Sequence, residues 1–197
     1  MTDTLPLFPL QTVLCPGNRI TLRLFESRYI DMVRECLRSE TGFGVVCQLA
    51  APDGSPSGHA RIGTEALIRD FSTLDDGLLG IEASGERRFT VQATRARDNG
   101  LLMADVDWLT EPRATSIDPR HGALQALMRE AMNNQQLAST LDIDPDESAS
   151  LGFGLASVLP LPLTDAQRLL EMSDSAERLD RLLQLVELLA DSGDDET

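Results

Sequence analysis

The sequence predicts an α+β chain: an N-terminal antiparallel β-barrel or sheet carrying one helix, then a C-terminal helical bundle. Three observations predict it. Short apolar-alternating runs separated by Asp-Gly and Asn-Gly turns fill residues 1–113. Apolar positions at helical spacing fill residues 114–191. Between them Glu111-Pro112-Arg113 marks the change of character, and residues 192–197 make an acidic tail expected to be disordered.

The elements follow in chain order. Leu5-Pro6-Leu7-Phe8-Pro9-Leu10 is apolar but twice interrupted by proline, which predicts an edge strand or an extended segment. The turn signal Cys15-Pro16-Gly17-Asn18 leads into Ile20-Thr21-Leu22-Arg23-Leu24, whose alternation predicts a half-buried strand. Ser27 is positioned to cap a helix with Tyr29, Ile30, Val33 and Leu37 on one stripe, ending at Thr41-Gly42. Strands are predicted at Phe43–Leu49, Ile62–Thr73, Leu78–Ala83, Phe89–Ala96 and Leu101–Trp108. Turn signals lie between them at 51–58, Asp75-Asp76-Gly77, Ser84-Gly85-Glu86 and Asp98-Asn99-Gly100.

In the second half, His121–Asn133 has helical spacing, and Asp144 with Pro145 and Glu147 reads as a helix start that runs to Val158, before Pro160. Thr164-Asp165-Ala166-Gln167 and Asp174-Ser175-Ala176-Glu177 have the form of capping boxes. The last helix sets Leu179, Leu182, Leu183, Val186, Leu189 and Ala190 on one stripe. Burying each large side chain contributes about 1.5–3 kcal/mol, so this helix is expected to pack on its predecessors.

Composition narrows the chemistry. The net charge is −15, and all 17 basic residues are arginine. An acidic surface repels phosphate backbones, so nucleic acid is not expected as a partner. The absence of lysine removes P-loop nucleotide binding, Ser–Lys dyads and Schiff-base chemistry. Arginine does not replace a deprotonating lysine, because its pKa lies above about 12. Cys15, Cys36 and Cys47 are odd in number and lack a CxxC pair. They read as buried free thiols, neither a disulfide framework nor a zinc site with His59 or His121. No metal or cofactor is expected. No secretory signal or membrane-spanning run is apparent, which predicts a cytoplasmic protein without a membrane partner.

Several motifs in order resemble one family. They are Leu5-Pro6-Leu7-Phe8-Pro9-Leu10, Val13-Leu14-Cys15-Pro16-Gly17, and Leu24-Phe25-Glu26-Ser27-Arg28-Tyr29. Further along come Ile62-Gly63-Thr64-Glu65-Ala66 with Asp76-Gly77, and Gly85-Glu86-Arg87-Arg88-Phe89, with weaker echoes at Leu159-Pro160-Leu161 and Arg168-Leu169-Leu170-Glu171. Together they resemble the substrate-binding domain at the N-terminus of Lon-type ATP-dependent proteases. The resemblance implies a PUA-like β domain followed by a helical bundle, and a role in recognising polypeptides. The chain ends where such a protease continues into its ATPase and Ser–Lys peptidase, so a recognition module without catalysis is expected.

The candidate binding residues are Phe25, Arg28, Tyr29, Phe71, Arg88, Phe89 and Trp108. Each has a structural alternative. Phe25 and Tyr29 read equally as core, with Arg28 bridging helix and sheet. Arg87-Arg88-Phe89 offers a forked grip on carboxylates, or a hairpin with one solvated arginine, one paired arginine and a buried Phe89. Phe71, Trp108, Met103, Met128, Met132 and Met172 fit an adaptable groove, or simply core. His59 lies in a Pro/Gly/Ser loop and His121 near a helix start, and neither sits in a nucleophile-and-carboxylate arrangement in the sequence.

The leading expectation is a non-catalytic module that recognises exposed apolar or unfolded polypeptide. It would act as an adaptor or regulator of protein degradation beside a protease or chaperone partner, using a groove where the two halves meet. The alternatives are a small-molecule-binding protein or a hydrolase on the same scaffold, and RNA binding by analogy with PUA-like folds. The oligomeric state stays open.

Overall fold

The computed structural model describes residues 3–51, 53, 56–111 and 115–194. Parts of three sequence features therefore lie outside the described residues: the turn at 51–58, the boundary at Pro112-Arg113 and the end of the acidic tail. The chain divides into a unit of residues 1–110 and a unit of residues 111–197.

In the first unit the alternating runs become strands β1 (Asp3–Leu10), β2 (Arg19–Leu24), β3 (Phe43–Ala50), β4 (Pro56–Thr73), β5 (Leu79–Ala96) and β6 (Leu102–Trp108), with helix α1 (Ser27–Ser39) between β2 and β3. The sheet order is β2-β5-β4-β3-β1-β6, and β6 also pairs with β5. Two expectations are corrected here. The sheet is mixed, because β1 and β3 run parallel, a pairing that requires the intervening crossover through β2 and α1. Nor is β1 at an edge: residues 3–7 pair with β6 and residues 7–10 with β3. The two ladders overlap only at Leu7, so each half of β1 has an unpaired side where a proline's missing N–H costs no ladder bond.

A further correction concerns Ser84-Gly85-Glu86, expected to be a turn. These residues continue one 18-residue strand, β5. Gly85 is there for close approach: a Cβ on it would lie 2.4 Å from the Cys15 carbonyl oxygen. Its N–H donates to Asn18 O at 2.7 Å, and its carbonyl accepts from Gly17 N at 2.9 Å. The expected Asp-Gly and Asn-Gly turns do form. Gly77 and Gly100 both take φ of +81°, a region that costs other residues energy.

Helix α1 buries Tyr29, Met32, Val33 and Cys36. They join Phe8, Leu22, Leu24, Phe43 and Ile81 in one core cluster, while Leu5, Leu7, Val46, Phe89 and Val106 form another. Ser27 is the first helical residue and not the cap; Glu26 holds that position without a side-chain bond. At the other end Glu40 adopts φ 53°, and its N–H closes onto Cys36 O.

All three cysteines are buried and free, as the sequence predicts. Burial pushes the Cys36 thiol from 9.0 up to about 11. At pH 8 iodoacetamide is therefore expected to modify native Cys36 roughly 100-fold more slowly than an ordinary thiol, since only the thiolate reacts. The folded state holds this proton more tightly than the unfolded chain. The associated stability is thus fully present below pH 9 and is lost as pH rises through about 11. Urea titrations of Cys36→Ala against the parent should show that alkaline loss diminished.

The second unit contains a 3₁₀ turn (Pro119–His121) and helices α2 (Gly122–Met132), α3 (Gln135–Ala138), α4 (Ser148–Val158), α5 (Leu163–Glu171) and α6 (Ser175–Asp194). Helix α4 is the centre, contacting α2, α5 and α6. Its sequence is apolar or small nearly all round, and residues 151–156 are all buried. It starts at Glu147, not Asp144: the Glu147 carboxylate accepts from Ala149 N and Ser150 N, while Asp144 accepts from Asp146 N. Thr164 lies inside α5, whose first turn has no side-chain cap. Asp174 does cap α6, accepting from Ala176 N and Glu177 N. Of the expected α6 stripe Leu179 and Leu182 are buried, Leu183, Val186 and Leu189 are half-buried and Ala190 is exposed, while Leu185, outside that stripe, is buried. Helix α6 continues to Asp194, into the segment expected to be a disordered tail.

Candidate functional site

Two grooves open on the β unit. The first, of about 360 Å³, lies between α1 and the β4–β5 hairpin. Ile30, Val33 and Leu37 line it from α1, and Phe71, Leu78 and Leu79 from the hairpin, with Arg34 as its charged residue. The groove arises because the apolar stripe of α1 outruns the sheet that covers it. Val33 is 1% exposed, but Leu37 four residues on is 40% exposed, and Phe71 is 58% exposed.

The hairpin on the far wall is fixed by its turn. Leu74 N donates to Leu78 O at 2.8 Å, and Gly77 N to Leu74 O at 2.8 Å. Asp76 accepts from Leu78 N and pairs with Arg23 of β2. Those contacts, the Leu78 bond first, hold the Asp76 carboxyl below the usual carboxylate range.

The second groove, of about 540 Å³, runs past the C-terminal end of α1 toward the start of β1 and the end of β6. Its lining includes Asp3, Glu40, Glu65, Glu86, Arg87 and Trp108. The Arg87 guanidinium lies 3.9 Å from the centre of the Trp108 ring and 3.1 Å from the mostly buried Glu65 carboxylate. Glu86 pairs with Arg69 at 2.5 Å, and Trp108 Nε1 donates to Asp3.

The structure brings few of the sequence candidates together. Phe71 sits in the apolar groove and Trp108 in the acidic one. Phe25 is 74% exposed, not core, and lines neither groove. Tyr29 is buried and stacks on Phe8 with ring centres 3.9 Å apart. Arg28 donates to the Gly100 carbonyl at 2.9 Å and pairs with Glu26 at 2.7 Å, so it ties α1 to the β5–β6 turn. Arg88 and Phe89 are fully buried and have no surface to offer; as neighbours on a strand they point to opposite faces, so both faces of β5 are covered here, and only Arg87 of the three is exposed.

Among the described residues no methionine lines either groove: Met103 and Met128 are core residues of their separate units. His121, 1% exposed, pairs with Asp180 at 2.7 Å and is closed to any substrate. Leu37, Glu40 and Glu65 were not among the site candidates, and Arg87 was weighed only within the Arg87-Arg88-Phe89 motif. The spacing of Leu37 on the α1 stripe carried a signal; the places of Glu40 and Glu65 depend on which elements become neighbours.

The fold defines a mixed α+β protein, a sheet unit with one helix and then a helical unit, with two open grooves on the former. The chain belongs to the ATP-dependent protease La (LON) substrate-binding domain family, whose model matches residues 4–187. A Lon N-terminal domain protein from Xanthomonas campestris is 40% identical, with a TM-score of 0.78 over 92% of this chain and 98% of that one. The N-terminal domain of Mycobacterium avium complex Lon protease, 20% identical with a TM-score of 0.66, shares the fold. Lon protease of Cytophaga hutchinsonii is 27% identical over 94% of this chain, and protein cereblon of Danio rerio is 29% identical over 77%. The chain spans 24% of that Lon protease and 35% of that cereblon. The family match thus falls on the substrate-binding part of the protease, outside its ATPase and peptidase parts, and supports a substrate-binding role. No helix among the described residues is long and apolar enough to cross a membrane.

Proposed function

We propose that this chain is a non-catalytic module that binds exposed apolar segments of polypeptides in the groove between α1 and the β4–β5 hairpin. The observation that carries the reading is the exposure of Phe71 and Leu37, 58% and 40%, on facing walls of one apolar groove. Water gains little from such side chains, and a client's apolar residue would remove both from it at about 25 cal/mol per Å². The role is that of an adaptor or regulator of protein degradation, working beside a protease or chaperone partner in the cytoplasm, where the three free thiols would stay reduced. In the same reading the pairing of β6 with β5 supports a PUA-like barrel. The charge of −15 argues against nucleic acid and anionic membrane as partners.

Calorimetry with a panel of unfolded and native client proteins tests the proposal. Binding confined to unfolded clients, with a negative heat-capacity change, is the expected result. Uniformly absent binding at high micromolar concentration would overturn it.

A further inference from the structure

The apolar groove and the acidic groove flank the same end of α1. Leu37 lines the first and Glu40 the second, three residues apart, about one helical turn. Strand β4 joins them as well, through Leu67 in the acidic groove and Phe71 in the apolar one. Those four residues of strand cover roughly 13 Å, the reach of about four residues of an extended peptide.

The charges in the acidic groove are unevenly matched. Glu65 is paired with Arg87 and Glu86 with Arg69. Among the described residues Asp3 accepts from the neutral Trp108 N–H, and neither it nor Glu40 forms an ion pair. A cation entering here meets two carboxylates that no described basic side chain pairs, beside the Trp108 ring. That ring already holds one guanidinium, that of Arg87, at 3.9 Å.

Resting on the apolar-groove reading, we infer that the preferred occupant is an extended polypeptide segment in which an apolar residue is followed or preceded, within about four residues, by arginine or lysine. The apolar side chain seats between Leu37 and Phe71, and the basic one reaches Glu40, Asp3 and Trp108. An acidic residue at that position would instead face four carboxylates.

Trp108 is the sole tryptophan, so its emission reports occupation of the acidic groove alone. Two fluorescently labelled, tryptophan-free peptides test the inference, alike in their apolar residues but carrying arginine or glutamate four positions on. Anisotropy should show the arginine peptide binding at least 5-fold more tightly at low salt, with the advantage shrinking in 0.5 M NaCl. Only that peptide should change Trp108 emission. Asp3→Asn with Glu40→Gln, which keeps shape and the tryptophan hydrogen bond, should erase the preference, weakening the arginine peptide while the glutamate peptide, now facing two carboxylates fewer, binds no more weakly than before. Equal binding of both peptides, with Trp108 silent, would overturn the basic-residue preference and leave the apolar-groove reading standing. Binding of neither peptide would remove both. A preference that survives the double substitution would overturn the assignment to this groove.

Discussion

Replacing Arg178 with alanine is expected to destabilise the helical unit by roughly 3–5 kcal/mol, enough to unfold a marginal domain. Arg178 is fully buried on α6, yet its role belongs largely to α5. A helix leaves its last carbonyls without partners. At the end of α5 Arg178 fills two of those places: Nε donates to Leu169 O at 3.0 Å, and Nη2 donates to Met172 O. Its positive charge also meets the negative end of the α5 dipole. The guanidinium lies 3.9 Å from the centre of the Phe153 ring on α4, and the absence of a side chain at Gly152 admits the arginine stem. One side chain thus clasps three helices. Alanine would leave a large void and buried carbonyls without donors. Lysine keeps the charge, but its compact ammonium does not reproduce the planar fork, so an intermediate loss is expected. Urea unfolding followed by far-ultraviolet circular dichroism reads both. A loss under 1 kcal/mol for Arg178→Ala would refute this account.

The second large effect is on binding and not on stability. Phe71→Ser combined with Leu37→Ser should weaken binding of an unfolded client at least 30-fold, the scale on which aromatic anchors of interfaces act. The same variant should keep the parent's unfolding midpoint nearly unchanged. Both side chains are exposed in the free protein, so their removal leaves no cavity and unsatisfies no polar group. Calorimetry and thermal unfolding on one preparation separate the two quantities. An unaltered affinity in a folded variant would move the client elsewhere on the surface. Phe25→Ser is the matched control: it removes an even more exposed aromatic, 74%, that lines neither groove, and should change affinity less than 2-fold.

Local chemistry made much of the fold legible. Alternation placed β2, short apolar runs between turn signals placed β3 and β6, glycine after Asp or Asn placed the β4–β5 and β5–β6 turns, and helical spacing placed α1, α2 and α6. The misreadings share a cause. Ser84-Gly85-Glu86 has turn chemistry, but its glycine answers to Cys15 and Asn18, far away in sequence. The prolines of β1 suggested an edge, but two different strands share its two halves. Four-residue capping patterns at Asp144 and Thr164 lost to Glu147 and to Pro162, because a cap depends on where the chain actually enters the helix.

The sequence by itself determined the α+β class, the family motifs, the acidic charge and the exclusion of lysine chemistry, because each depends on composition or on neighbours within a few residues. Tertiary structure decided which apolar residues stay in water. Phe71 and Phe89 read alike as strand aromatics, yet one lines an open groove and the other is sealed beneath Gly44 and Gly63. Burial is a property of partners brought from distant parts of the chain, and strand periodicity says only that a side chain has a face, never what covers it.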